Sequence, residues 1–314
     1  MSNARSASKL SIGLLPATMR ALRLRPPGGL DTLRIEEMAV PGLGDEEVLV
    51  RVDAAAITRD ELDWPSDRLP ATPSYELSGV VVDVGEDVST LEIGEAVFGL
   101  TPFDRDGVAA EYAAVPATAL ASRPRSLRDV EAAALPLAGL SAWQGLFSHG
   151  RLQRGERVLI HGAAGGVGHI ATQLAHWAGA YVIASATGAG VDAARAFGAN
   201  QVVDRTAKAL EDQIEPVDLV FDTVGGDALA RSAAVLGPNG RVVSVAEQPP
   251  PGVSGTYFVV KPDPEQLIQL AALVDEGALR PAIDSTFPLT EAVSAFRRVM
   301  SPGKRGKVVL VVRS

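Results

Sequence analysis

The sequence contains no cysteine. Disulfides and thiolate metal ligands are therefore excluded by inventory. Histidine is nearly as scarce: His149, His161, His169 and His176 are the only four, all in one stretch, and no pair has the spacing of a helical metal motif. No metal site is expected. Positive charge is in deficit, with 29 Lys and Arg against 38 Asp and Glu and a net charge of −9. Nucleic acid is thus not an expected partner, since neutralising phosphates takes clustered Lys and Arg. Long apolar runs are missing too. The run from Ser11 to Pro16 is far too short to cross a bilayer or to form a secretory core, so the expectation is a cytosolic protein without a membrane partner.

What is present is ample apolar material: 46% of residues are hydrophobic and 21% charged, the balance of ordinary globular proteins. At 314 residues the chain is about twice the usual single-domain length, so two domains sharing a cleft are expected. Residues 1–18 hold Arg5 and Lys9 but no acid. They are expected to form a disordered extension ahead of a domain starting at Met19.

From residue 19 to 126 short β runs alternate with turn signals. Glu47 to Asp53 alternates with period two, Gly79 to Gly85 is bounded by glycines, and Val108 to Val115 is similar. This predicts a small barrel-like β domain. From 127 to 280 the rhythm becomes α/β. Apolar runs at Arg157–His161, Tyr181–Ala186, Gln201–Asp204, Asp218–Val224, Arg241–Ala246 and Tyr257–Val260 suit buried parallel strands of a doubly wound sheet. A helix between the first two places Ile170, Leu174 and Trp177 on one face. Another starts at Asp263, with Pro264 in its first turn, Gln266 completing a capping box and Gly277 beyond its end. Residues 281–314 hold an amphipathic stretch, Glu291 to Met300, and a strand-like run, Gly306 to Val312, with no crossover helix behind it. That run is expected to rejoin the β domain.

The segment richest in chemistry is Gly155-Glu-Arg-Val-Leu-Ile-His-Gly-Ala-Ala-Gly-Gly-Val-Gly168. It passes from a predicted strand through Ala163, Ala164, Gly165, Gly166, Val167 and Gly168 into a predicted helix. Small residues permit the tight turn and a close approach of backbone to a pyrophosphate, whose charge suits the helix N-terminus. A dinucleotide site is expected here. NAD-selective sites carry an acid at the end of the second strand, but here that strand ends Ala184-Ser-Ala-Thr-Gly188. A carboxylate about 5 Å from a 2′-phosphate costs roughly 3 kcal/mol per unit charge at an effective dielectric of about 20, so its absence permits NADP(H). Ser185 and Thr187 offer hydroxyls, and Arg205 at the end of the third strand offers a positive charge.

Gly155 to Gln173 resembles the fingerprint of zinc-independent quinone oxidoreductases, within the medium-chain dehydrogenase/reductase superfamily. Ala132 to Trp143, Val220 to Gly226 and Gly277 to Val312 share the likeness. The resemblance implies a GroES-like β-barrel domain over 19–126, a Rossmann doubly wound parallel sheet over 127–280 and a return of 281–314 to the first domain. It further implies that Thr223, Val224 and Gly225, with Val245 and Ala246, flank the nicotinamide half of the cofactor, and that Ser141 lies near the nicotinamide or its phosphates. Zinc relatives have a Cys near Thr58 and a His near Tyr75, and both ligands are replaced here. Without a Lewis acid, hydride transfer to an electron-poor quinone or α,β-unsaturated carbonyl becomes the expected chemistry. Thr58 and Tyr75 are the candidate donors to the developing oxyanion. The alternatives are an enoyl-thioester reductase of the same fold and a non-catalytic NADP(H) sensor. The apolar run Tyr257–Val260, read as a terminal strand with an exposed edge, predicts a homodimer joined through that edge.

Overall fold

Two large sheets of different character, with a separate two-stranded ribbon, divide the chain. The computed structural model describes residues 15–65, 67–188, 190–204 and 210–313. Its strands before the first long helix are β1 (Thr18–Leu24), β2 (Leu33–Ala39), β3 (Glu47–Ile57), β4 (Glu76–Val84), β5 (Ala96–Leu100), β6 (Tyr112–Pro116) and β7 (Leu120–Ser122). Helices α1 (Asp129–Ala133) and α2 (Pro136–Trp143) follow, then β8 (Arg157–His161), α3 (Gly168–Trp177), β9 (Tyr181–Ala186), α4 (Gly190–Ala196), β10 (Gln201–Asp204), β11 (Val217–Asp222), α5 (Gly226–Ala230), β12 (Leu236–Ser244) and β13 (Gly255–Tyr257). The chain closes with α6 (Pro264–Asp275), β14 (Ile283–Pro288), α7 (Ala292–Met300) and β15 (Lys307–Val311).

Strands β10-β9-β8-β11-β12-β13 form a six-stranded, wholly parallel sheet. The order reverses beside β8, the topological switch point at which α/β sheets open a ligand crevice beyond their strand ends. The second sheet has seven strands, β14-β15-β3-β4-β5-β7, with β6 also paired to β3. As expected, the C-terminal strand returns: β15 pairs antiparallel with β3, Val309 opposite Ala56. One apolar core spans both sheets, because Tyr75, Phe98 and Leu100 pack with Leu135, Leu140 and the interior of the parallel sheet.

Two expectations about packing need correction. Ile170 and Leu174 are buried, but Trp177 is 49% exposed. It is the last residue of α3, where the helix outruns the sheet beneath it, and its ring lies near Trp143 and Phe147. The sixth strand is shorter than predicted. After Tyr257 the chain leaves the edge of β12, so Phe258 and Val260 enter the core while Val259 is 55% exposed. The open edge is thus Gly255–Tyr257 alone. The α6 cap forms at Asp263, whose carboxylate accepts from the Gln266 N–H, but the Gln266 side chain accepts from Gln144 instead of closing a box.

Candidate active site at the glycine-rich turn

β8 delivers the chain to Gly162, and α3 begins at Gly168. Gly168 is dictated by the backbone beside it, and Gly162 by its positive φ and the side chains beside it. A Cβ on Gly168 would lie 2.1 Å from the Gly162 carbonyl oxygen, so any side chain there would push the helix off the strand. Gly162 has φ +72°, and a Cβ would meet Thr223 Oγ1 at 2.7 Å and Val224 Cγ2 at 2.8 Å. The Thr223 hydroxyl donates to the His161 carbonyl at 2.8 Å, tying the loop after β11 to the end of β8. Ala163 N donates to the Ser185 carbonyl at 3.3 Å, tying the turn to β9.

Most residues singled out in the sequence are thereby gathered at one end of the parallel sheet. Ala163 and Ala164 are buried in the turn, and Gly165, Gly166 and Val167 complete it. Thr223, Val224 and Gly225 lie just past β11, with Val224 43% exposed. Val245 and Ala246 lie just past β12, and a Cβ on Gly225 would sit 3.3 Å from that of Ala246. Ser185 is buried in β9 and Thr187 is exposed immediately after it. Ser141 is buried on α2. Arg205 lies outside the described residues.

An unassigned residue organises the strand ends. The buried Asp222 carboxylate accepts from the N–H groups of Val224 and Gly225 and from the Ser244 hydroxyl. Burial raises its pKa, opposed by those three donors. It fixes both loops relative to each other. The sequence signal was a lone acid ending an apolar run.

Across from the turn stands a polar cluster from the other sheet. Lys307 opens β15, and its ammonium bonds the Glu76 carboxylate and donates to Thr58 Oγ1 at 3.2 Å. Lys307 and Glu76 side chains are only 3% and 1% exposed. The second Glu76 oxygen accepts from Leu137 N at 3.0 Å, so the buried acid is fully engaged. Thr58 N donates to Glu61 at 2.9 Å. Burial pushes the Glu61 carboxyl up to about 8, against the pull of that N–H and of Lys307. Tyr75 is wholly buried, its ring packed 5.1 Å from Phe103 and 5.7 Å from Trp64, and its hydroxyl accepts from Arg68 at 3.0 Å. Burial raises its pKa, against the lowering pull of Arg68. Thr58, only partly buried, is the more accessible of the two candidate donors.

Lys307 also links the two halves. Its Cδ is 3.2 Å from where a Cβ of Gly166 would stand, so one side chain runs from the glycine turn to the Thr58 hydroxyl. Glu61, Glu76 and Lys307 were not assigned from sequence. The available signal was a charge set into otherwise apolar strands.

The donor set does not suit a zinc ion. At the two replaced ligand positions stand a threonine held by Lys307 and a tyrosine held by Arg68. Among the described residues no group of three His, Asp or Glu converges as metal ligands. The turn does suit a dinucleotide: Gly165 and Gly166 carry no side chain, the residues around them are small, and the turn opens a ten-residue helix. Among the described residues no helix is long and apolar enough to cross a membrane.

Residues 44–125 match the alcohol dehydrogenase GroES-like domain, and residues 197–310 match the zinc-binding dehydrogenase family. The chain is 33% identical to 2-methylene-furan-3-one reductase of Solanum lycopersicum, over 94% of this chain and 80% of that protein. It is 32% identical to the chloroplastic NADPH-dependent alkenal/one oxidoreductase of Arabidopsis thaliana, with the same coverage. The quinone oxidoreductase of Coxiella burnetii superposes with a TM-score of 0.89 at 31% identity, covering 94% of this chain and all of that one.

Proposed function

The chain belongs to the quinone oxidoreductase-like family of medium-chain dehydrogenase/reductases, and from that premise we propose that it is an NADPH-dependent reductase of quinones or α,β-unsaturated carbonyls that works without metal. The observation that carries this reading is the juxtaposition of the glycine-rich turn with the Lys307–Thr58 pair. A reduced nicotinamide, when bound, supplies the hydride. The turn and the loops after β11 and β12 hold and orient the cofactor. As hydride adds to the conjugated acceptor, negative charge gathers on its carbonyl oxygen, and a proton from water then completes the reduction. Thr58 Oγ1 accepts from the Lys307 ammonium, which leaves its own hydrogen free for that oxygen. Tyr75, sealed among Trp64, Phe103 and Arg68, supports the wall of the cleft.

The relatives' names favour this acceptor class, since one is an alkenal/one oxidoreductase and one a quinone oxidoreductase. The missing acid after β9, the exposed Thr187 and the sequence position of Arg205 favour NADPH over NADH. Sheet membership supports dividing the chain into an acceptor-side domain (19–126), a cofactor domain (127–280) and a returning segment (281–314). The open edge of β13 supports a homodimer.

Cofactor consumption over a panel of quinones, alkenals and enoyl-CoAs tests the activity. No consumption with any acceptor would leave a cofactor-binding sensor, and enoyl-CoA alone would leave a thioester reductase. Calorimetric titration tests the cofactor: NADPH should bind tighter than NADH, and Arg205→Ala should weaken NADPH selectively. Activity should also survive prolonged chelation, and one tightly held zinc per chain on elemental analysis would refute the metal-free chemistry.

A further inference from the structure

Between α7 and β15 the chain makes a short reversal, residues 301–306, that lies directly on the glycine turn. Gly306 N donates to the Ala164 carbonyl at 3.0 Å. The Lys304 ammonium stands 3.7 Å from where a Cβ of Gly166 would be. Lys304 is half-buried, and its Nζ donates to the Gly306 carbonyl at 3.3 Å. Among the described residues no carboxylate pairs with it.

Its surroundings are unfavourable to a cation. Burial disfavours the charge most, Lys307, Arg59 and Arg298 repel it, and Asp284 attracts it. Asp284 is already committed: both its oxygens accept from Arg298, and one also takes the Arg305 N–H. An ammonium kept half out of water among like charges, against a turn of small residues at a helix N-terminus, lacks a counter-anion.

We propose that Lys304 reaches across from the C-terminal segment to receive the pyrophosphate of the dinucleotide, closing the cofactor site from the side opposite α3. This rests on the cofactor reading above. A pyrophosphate carries two negative charges and is common to NADPH and NADH, so Lys304 contributes to affinity without contributing to the choice between them. The burial and neighbouring cations that hold the free protein's Lys304 down to about 8 are offset when the anion arrives. Binding above that pH therefore takes up a proton, where the 2′-phosphate is already fully ionised and takes up none.

Calorimetric titration of the full-length protein with NADPH and with NADH, at pH 8.5 in two buffers of different ionisation enthalpy, tests this. For the unmodified protein, binding should be accompanied by proton uptake. Lys304→Met should weaken both cofactors by about ten-fold or more, leave their ratio unchanged and abolish the uptake. Lys304→Arg should retain most of the affinity without the uptake, since guanidinium does not titrate there. Unchanged affinities in Lys304→Met would overturn the proposal, as would a loss confined to NADPH, which would move Lys304 to the 2′-phosphate. If the unmodified protein binds neither cofactor, the cofactor reading itself fails and this proposal with it.

Discussion

The two faces of the cleft are built from different materials. The face proposed to hold the cofactor is built close to the backbone: a Cβ on Gly168 would strike the Gly162 carbonyl, and the loops at the strand ends are tied by the Asp222 carboxylate to the N–H groups of Val224 and Gly225. The acceptor face is made of side chains contributed by distant parts of the chain, Thr58, Glu61, Glu76 and Lys307, meeting in a buried ionic cluster. A side-chain-built site can be varied one residue at a time, so it is where substrate choice can diverge.

Removing the ionic centre should have the largest effect. Lys307→Met leaves Glu76 buried without its cation and should cost about 3–5 kcal/mol in denaturant unfolding. Glu76→Gln combined with Lys307→Met should recover much of that loss. Additive losses in the double variant would show that the pair is not coupled.

On the cofactor face the contrast lies between two glycines. Gly168→Ala brings a methyl against the Gly162 carbonyl, which cannot yield, and should lower stability by about 1–3 kcal/mol with a marked fall in NADPH affinity. Gly166→Ala comes nearest the flexible Lys307 side chain, at 3.2 Å, with Lys304 Nζ and the Gly306 carbonyl at ordinary contact distance, and should keep the fold near its original stability. Equal destabilisation of both variants would contradict a backbone-dictated turn.

A pH series separates the faces further. Glu61 ionises near 4.5 when unfolded and about 8 in the folded protein, so the folded state binds more protons between those values. Stability linked to Glu61 is full below pH 4.5 and is lost as pH rises through 8. Glu61→Gln should therefore gain on the unmodified protein across that window, by at least about 1 kcal/mol at the upper end. A difference that does not vary with pH would mean that Glu61 is ionised in the folded state.

The smallest effect on a single subunit is expected at the edge of the parallel sheet. Ser254 and Phe258 bond toward β12, which leaves Tyr257 facing the open edge. Tyr257→Pro should split a dimer and leave cofactor affinity in place. Sedimentation showing the unmodified protein as a monomer at micromolar concentration would remove the arrangement.

The sequence by itself determined the strand, glycine turn and helix proposed to hold the cofactor, because the rules that set them are local. Glycine where a turn forbids Cβ, a strand before it and an amphipathic helix after it all lie within Arg157–Trp177, so period and spacing suffice. It also determined the return of Gly306 to Val312 to the first domain, since an apolar strand without a crossover helix must pair elsewhere. Only the tertiary structure decided the rest. Phe258 and Val260 read as edge residues until the chain is seen to turn under the sheet, and Trp177 reads as buried until the end of α3 is located. Lys307 and Glu76 lie 231 positions apart, and no periodicity reports that two charges so far apart neutralise each other in one core. Lys304 reads as a surface lysine in a polar turn. What makes it a half-buried cation without a paired carboxylate among the described residues is the three-dimensional arrangement of Lys307, Arg59 and Arg298 around it, because Coulomb's law depends on distance in space and not along the chain.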